Sequence, residues 1–210
     1  MKDLIDKFKI DNIDYSEIAF YDSTEFLEQE TLCNRYLEKY AEFVNIKNYS
    51  QEYIDRATKE IPFIADLLSD ELIKDGRQGA CIDLSVVFSR ILELEGYWNY
   101  LTRGSLTINF LKDSNIPTKH FWSADYGEFQ AAHMWVTAPP FDIIDLTVKQ
   151  QKYGDNAGEY IPKVICDKGD KTDIIDEIDI MNPLVSKQLI GEGVIENRVE
   201  YVKENINDFK

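Results

Sequence analysis

The chain has 210 residues, with 39 acidic against 23 basic side chains and a formal net charge of −16. That length suits one domain, or one with an appendage, and can bury a core without disulfide or metal staples. The charge argues against nucleic acid and anionic membranes as partners, because both need clustered Lys and Arg to meet phosphate; the 44% hydrophobic content, with 12 Tyr and 11 Phe, argues against disorder.

In chain order, the first 75 residues read as mostly helical. Asp22-Ser23-Thr24-Glu25 has the form of a capping box, and an amphipathic helix is predicted from there to about Val44. Phe26, Leu27, Leu32, Tyr36, Leu37, Tyr40 and Phe43 supply its apolar side. Ser50 caps a second helix from Gln51 to about Ile61, where Pro62 should kink or end it. Phe63, Ile64, Leu67, Leu68, Leu72 and Ile73 continue the helical period to Asp75-Gly76. Gly79-Ala80-Cys81 then leads into a buried helix, with Leu84, Val87, Phe88, Ile91 and Leu92 as its apolar stripe. Gly96 fits the residue just past its end.

Beyond Gly96 the pattern changes to strands. Tyr97 to Leu101 and Ser105 to Phe110 are rich in aromatic and β-branched residues, and Phe121-Trp122 lies in a shorter apolar piece. Ala131 to Val136 and Asp142 to Val148 form a further pair, separated by Pro139-Pro140, which cannot belong to a central strand. Tyr160 to Cys166 is another candidate strand. Asp167 to Asp179 reads as a solvated acidic loop, lacking the glycine and the acidic spacing of a calcium loop. Gly193 to Asn207 reads as a final amphipathic helix. The expected division is a helical region over 1–75 packed on the core, a core over 76–150, and a C-terminal extension over 151–210, all in one globular domain.

The opening Met1-Lys2-Asp3-Leu4-Ile5-Asp6-Lys7 has no apolar signal core, and no apolar run approaches membrane-spanning length. Cys33, Cys81 and Cys166 are odd in number and widely spaced, so reduced thiols and a cytoplasmic location are expected. A thiol in the first turn of a helix feels the positive end of the helix dipole, which favours the nucleophilic thiolate. Cysteine catalysis also needs a base near the thiol and a group that orients the base. The chain has two histidines: His120, in a charged context after Pro117, and His133, inside a predicted strand where geometry is better held. A five-residue loop from Thr137 to Phe141 would pair Val136 with Asp142 and set His133 opposite Asp145. His133, Trp135, Ile143 and Asp145 then share one face and Asp142 takes the other, an arrangement that a one-residue slip would undo. Cys33 and Cys166 read as structural thiols, Trp98 and Trp135 as packing residues, and Asp83 and Ser85 as ordinary first-turn residues.

Taken together, Gly79-Ala80-Cys81 opening a helix, the glycine-terminated turn and strands, His133-Met134-Trp135-Val136 and Ile144-Asp145-Leu146-Thr147 resemble the core of the transglutaminase-like cysteine enzyme superfamily. The resemblance covers about residues 76 to 150; Ala80 stands where glutamine is common and Leu146 where proline is. It implies an α+β fold, helices packed on an antiparallel β-sheet as in cysteine proteases, with Cys81 as nucleophile, His133 as base and then acid, and Asp145 orienting the imidazole. The Cys81 N–H would serve the oxyanion, with Gln78 or Trp122 as a second donor. The implied chemistry is acyl transfer through a thioester, with no cofactor or metal, on a protein or peptide substrate. Hydrolysis (peptidase, amidase or deamidase) is favoured over cross-linking, because no calcium-type site is visible and water is always at hand. Arg77-Gln78-Gly79-Ala80-Cys81 also resembles the cysteine loop of the arylamine N-acetyltransferases, and a catalytically degenerate member would act as a protein-binding module.

Overall fold

The computed structural model describes residues 13–32, 38–74, 81–104, 106–108, 115–117, 119–121, 133–151 and 155–168, together with Ile5, Phe8, Gly76 and Phe110. The predicted C-terminal helix, Cys33 and most of the acidic loop lie outside these residues.

Helix α1 (Thr24–Leu32) begins at Ser23, whose hydroxyl accepts the Phe26 N–H at 3.2 Å. Helix α2 (Glu38–Ile46) occupies the second half of the stretch expected as a single helix. A 3₁₀ turn, Phe20–Asp22, precedes α1 and seats Phe20 and Tyr21 among Phe8, Phe26, Tyr40, Phe43 and Trp98. Arg90 holds this turn in place, with its guanidinium 2.7 Å from Asp22 and 2.5 Å from Glu93.

Helix α3 (Gln51–Lys74) is capped by Ser50, whose hydroxyl accepts the Tyr53 N–H at 3.1 Å. It does not end at Pro62 but runs on through it. An interior proline costs about 3 kcal/mol. Ala57, Ile61, Ile64, Ala65, Leu68 and Leu72 are buried along one side of α3, and burial at about 1.5–3 kcal/mol per large aliphatic side chain outweighs that cost. Helix α4 (Cys81–Leu94) buries the predicted stripe and ends as predicted. The Tyr97 N–H bonds the Leu92 carbonyl at 2.8 Å, the Gly96 N–H bonds the Glu93 carbonyl at 3.1 Å, and Gly96 has φ +85°, the left-handed residue of a Schellman cap.

Among the described residues, six strands follow: β1 (Tyr100–Gly104), β2 (Leu106–Ile108), β3 (Lys119–Phe121), β4 (His133–Ala138), β5 (Phe141–Asp145) and β6 (Ile165–Asp167). The main sheet is antiparallel in the order β1-β4-β5-β6, while β2 and β3 pair separately. Helices and an antiparallel sheet make the fold α+β. The first strand starts at Tyr100 rather than Tyr97, and Asn99 just before it donates its side-chain amide to the Ser89 and Tyr97 carbonyls at 3.2 and 3.1 Å. One sheet face (Leu101, Met134, Val136, Ala138, Ile144) packs with α3 and α4 into the main core. The other carries Trp135 and Ile143 against Val148 and Ile161.

The β4–β5 hairpin corrects the expected register. Its turn is Pro139–Pro140 alone, joined by a cis bond, with Ala138 opposite Phe141 and, further on, Val136 opposite Ile144. The five-residue loop with Val136 opposite Asp142 does not form. At Val136 the pairing is displaced by two residues from that expectation, and a displacement of two leaves every side chain on its expected face. Continuing the observed pairing sets Trp135 across from Asp145, with His133 diagonal to Asp145 on the same face.

Candidate active site

Cys81 is the first residue of α4 and is half-buried at the edge of the main core. One turn further, Ser85 donates its hydroxyl proton to the Met134 carbonyl at 3.1 Å. One turn beyond that, Ser89 donates to Asn99 Oδ1 at 2.6 Å. Residues four apart stack on one side of a helix, so the side of α4 that bears the thiol is pinned to β4 at the residue next to His133. Ser85 is therefore not an ordinary first-turn residue. Without a known partner, nothing in the sequence distinguishes it from a solvated serine.

His133 begins β4 and is 3% exposed. Its Nε2 hydrogen-bonds Asp145 Oδ2, and the Cys81 side chain is near enough to help raise the ring's pKa. With Nε2 committed to Asp145, Nδ1 is the ring nitrogen left for the sulfur. Asp145, at the end of β5, is 1% exposed. Its Oδ1 accepts the Thr147 N–H at 2.7 Å, the Thr147 hydroxyl at 3.0 Å and the Val148 N–H at 3.0 Å. These donors turn the chain tightly after β5 and satisfy a buried carboxylate that would otherwise be costly. Thr147 is a site residue to which the sequence reading gave no role. The signal was present, because an acidic residue readily bonds the backbone two residues on.

The electrostatics follow from this geometry. Burial pushes His133 down, but the charge and hydrogen bond of Asp145, with those of Cys81, outweigh it and raise the imidazole to about 10. Burial pushes Asp145 up, but the His133 charge and the donors from His133 and Thr147 outweigh it and hold the carboxyl below its usual range. These opposite shifts favour an imidazolium on a carboxylate at neutral pH. Cys166, on β6, has no such neighbour, and burial pushes its thiol up to about 12.

Cys81, His133 and Asp145 are thus brought together, and Asp142 is not among them. Gln78 and Trp122 lie outside the described residues. His120 lies on β3 opposite Thr107, in the separate two-stranded sheet. Among the described residues no His, Cys, Asp or Glu group could hold a metal ion, and no helix is long and apolar enough to cross a membrane. A nucleophilic sulfur, an imidazole that can carry a proton and a fixed carboxylate are the parts that acyl transfer through a thioester needs. No family model matches the chain, and no curated protein or solved structure matches it.

Proposed function

We propose that the protein is a transglutaminase-like cysteine enzyme, transferring acyl groups from peptide or side-chain amides through a thioester on Cys81, with water as the favoured acceptor. The observation that carries the reading is the buried His133 ring, hydrogen-bonded to Asp145 and close enough to the Cys81 side chain to be raised by it. The order of the parts supports it further: a cysteine opening a helix, then a histidine and an aspartate on neighbouring antiparallel strands.

In the reaction, the Cys81 sulfur, as a thiolate whose proton has gone to solvent, attacks the amide carbonyl carbon, and the carbonyl electrons move to oxygen. The Cys81 N–H, in the unpaired first turn of α4, faces the oxyanion. His133 already holds a proton at neutral pH and gives it to the leaving nitrogen as the C–N bond breaks. The neutral ring then takes a proton from water, whose oxygen attacks the thioester; the C–S bond breaks, releasing the acid and returning the Cys81 thiolate beside the imidazolium. Asp145 keeps the ring oriented and stabilises its charged form throughout.

The test uses two probes. Iodoacetamide alkylation across pH, mapped by peptide mass, compares Cys81 with Cys166 in wild type and His133→Ala. p-Nitrophenyl acetate reports transfer of an acetyl group onto Cys81, with Cys81→Ala as the blank. Fast alkylation of Cys81 that slows on losing His133, together with an acetyl-Cys81 intermediate, supports the enzyme. A Cys81 that reacts at the same rate with and without His133 leaves a protein-binding module as the better reading.

A further inference from the structure

The β4–β5 ladder changes register once. Near the turn Ala138 stands opposite Phe141, and beyond it Val136 stands opposite Ile144. Between these pairs β4 has Thr137 alone, while β5 has Asp142 and Ile143, which makes a β-bulge on β5. If the turn pairing continued without the bulge, Leu146 would stand opposite His133. Asp145 would then rotate to the face that packs on α4, and no carboxylate would reach the imidazole. The extra residue restores the parity that sets Asp145 beside His133.

A bulge leaves backbone groups out of the ladder, and buried groups of that kind need another partner. Here the Thr137 hydroxyl donates to the Asp142 carbonyl at 2.8 Å. Its oxygen also lies 3.0 Å from the Thr102 hydroxyl on β1. Thr137 has one hydroxyl proton, which goes to Asp142, so Thr102 is the donor in that second contact. Both threonines are buried, and Thr102 is diagonal to Thr137 in the β1–β4 ladder. The tie therefore runs across three strands and ends on the bulge.

We propose that Thr137, supported by Thr102, is a positioning residue for the candidate site: its hydroxyl holds the bulge that places Asp145 on the His133 face. Thr137 touches no reacting atom and acts through Asp145. The inference rests on the pairing of His133 with Asp145 and deepens the reading of Cys81 as a nucleophile.

The test compares Thr137→Val, which keeps the shape and removes the hydroxyl, with Thr137→Ser, which keeps the hydroxyl. One readout is the NMR titration of the His133 ring; the other is the alkylation rate of Cys81 relative to Cys166 in the same molecules. In Thr137→Val the His133 midpoint should fall by at least about one pH unit, a tenfold change in its protonation equilibrium. Cys81 alkylation should move toward the His133→Ala rate, and Thr137→Ser should restore both. A Thr137→Val protein that unfolds more easily but keeps the wild-type midpoint and rate overturns the proposal. If Thr137→Val does not fold, Thr102→Val, which removes only the supporting donor, should shift the midpoint in the same direction, and an unchanged midpoint there overturns it equally. The titration decides the matter even if wild-type Cys81 proves inert, so failure of the enzyme reading stays distinguishable from failure of this one.

Discussion

Asp145→Asn isolates the charge of the carboxylate from its shape. The asparagine Oδ1 can still accept the Thr147 and Val148 donors, which lie at 2.7–3.0 Å from the native oxygen. Its Nδ2 replaces the oxygen that faces His133 Nε2. An amide nitrogen cannot accept, so Nε2 must lose its proton, and the remaining ring proton sits on Nδ1, the side that serves Cys81. Burial, which Asp145 outweighs in the wild type, then governs the ring. The His133 midpoint should fall from about 10 to 6.5 or lower. At 1.36 kcal/mol per pH unit that fall corresponds to about 5 kcal/mol, close to the roughly 3–5 kcal/mol for removing one partner of a buried ion pair. The stability difference depends on pH. The raised His133 stabilises the fold fully below its unfolded value of 6.5, and this is lost as pH climbs through about 10. Asp145, lowered from 3.8, contributes above that value and fails as pH drops through its folded value. The gap between wild type and variant should therefore be widest between 3.8 and 6.5 and close toward about 10. Ring-nitrogen NMR, assigned with His120→Gln, gives the midpoints, and urea denaturation at the two ends of the range gives the energies. A wild-type His133 that titrates near 6.5, or a midpoint that Asp145→Asn leaves unchanged, would falsify the pairing.

Three further outcomes are expected. Ser85→Ala removes the hydroxyl donor to the buried Met134 carbonyl and should cost about 1–2 kcal/mol in denaturant unfolding. It should also slow Cys81 alkylation, and a loss of stability with an unchanged rate would make Ser85 a packing residue only. Pro62→Ala returns an N–H to α3 opposite the Thr58 carbonyl and should raise stability by up to about 3 kcal/mol; an unchanged midpoint would contradict the account in which packing offsets the proline. Gly96→Ala forces a left-handed φ on a residue with a Cβ, which would meet Arg56 Nη2 at an ordinary 3.5 Å. The cost is then backbone alone, about 1–2 kcal/mol in thermal unfolding, and no loss at all would mean that the Schellman cap does not close the helix.

The α4 helix was legible because its signals are local: a period of apolar residues and a glycine past its end. The grouping of His133 with Asp145 was legible for a different reason. It depends only on parity along two strands, and parity survived an error of two in the register. The register itself was not legible. The five-residue loop expected from Thr137 to Phe141 does not form, because the turn is held to Pro139–Pro140 and the extra residue is absorbed by a bulge that local composition does not mark. That the helix continues past Pro62 was not legible, because propensity is a local quantity and the burial that overrides it comes from residues far away in the chain. Ser85 and Thr137 were silent. A hydroxyl has meaning only through its partner, and Ser85 and Thr137 have partners 49 and 35 residues away.

The four-residue spacing of Cys81, Ser85 and Ser89 has a consequence for how far the core can change. Burial of apolar surface has no direction, so a greasy helix on a greasy sheet can slide or roll by a fraction of a turn at little cost. The two hydroxyl bonds act as a vernier along α4, giving it one seat out of many nearly equal ones. The location of the thiol is therefore decoupled from the packing beneath it. Volume-conserving exchanges at Leu84, Phe88 or Leu92 can drift without moving the sulfur, whereas losing one small serine shifts the scale on which the sulfur is set.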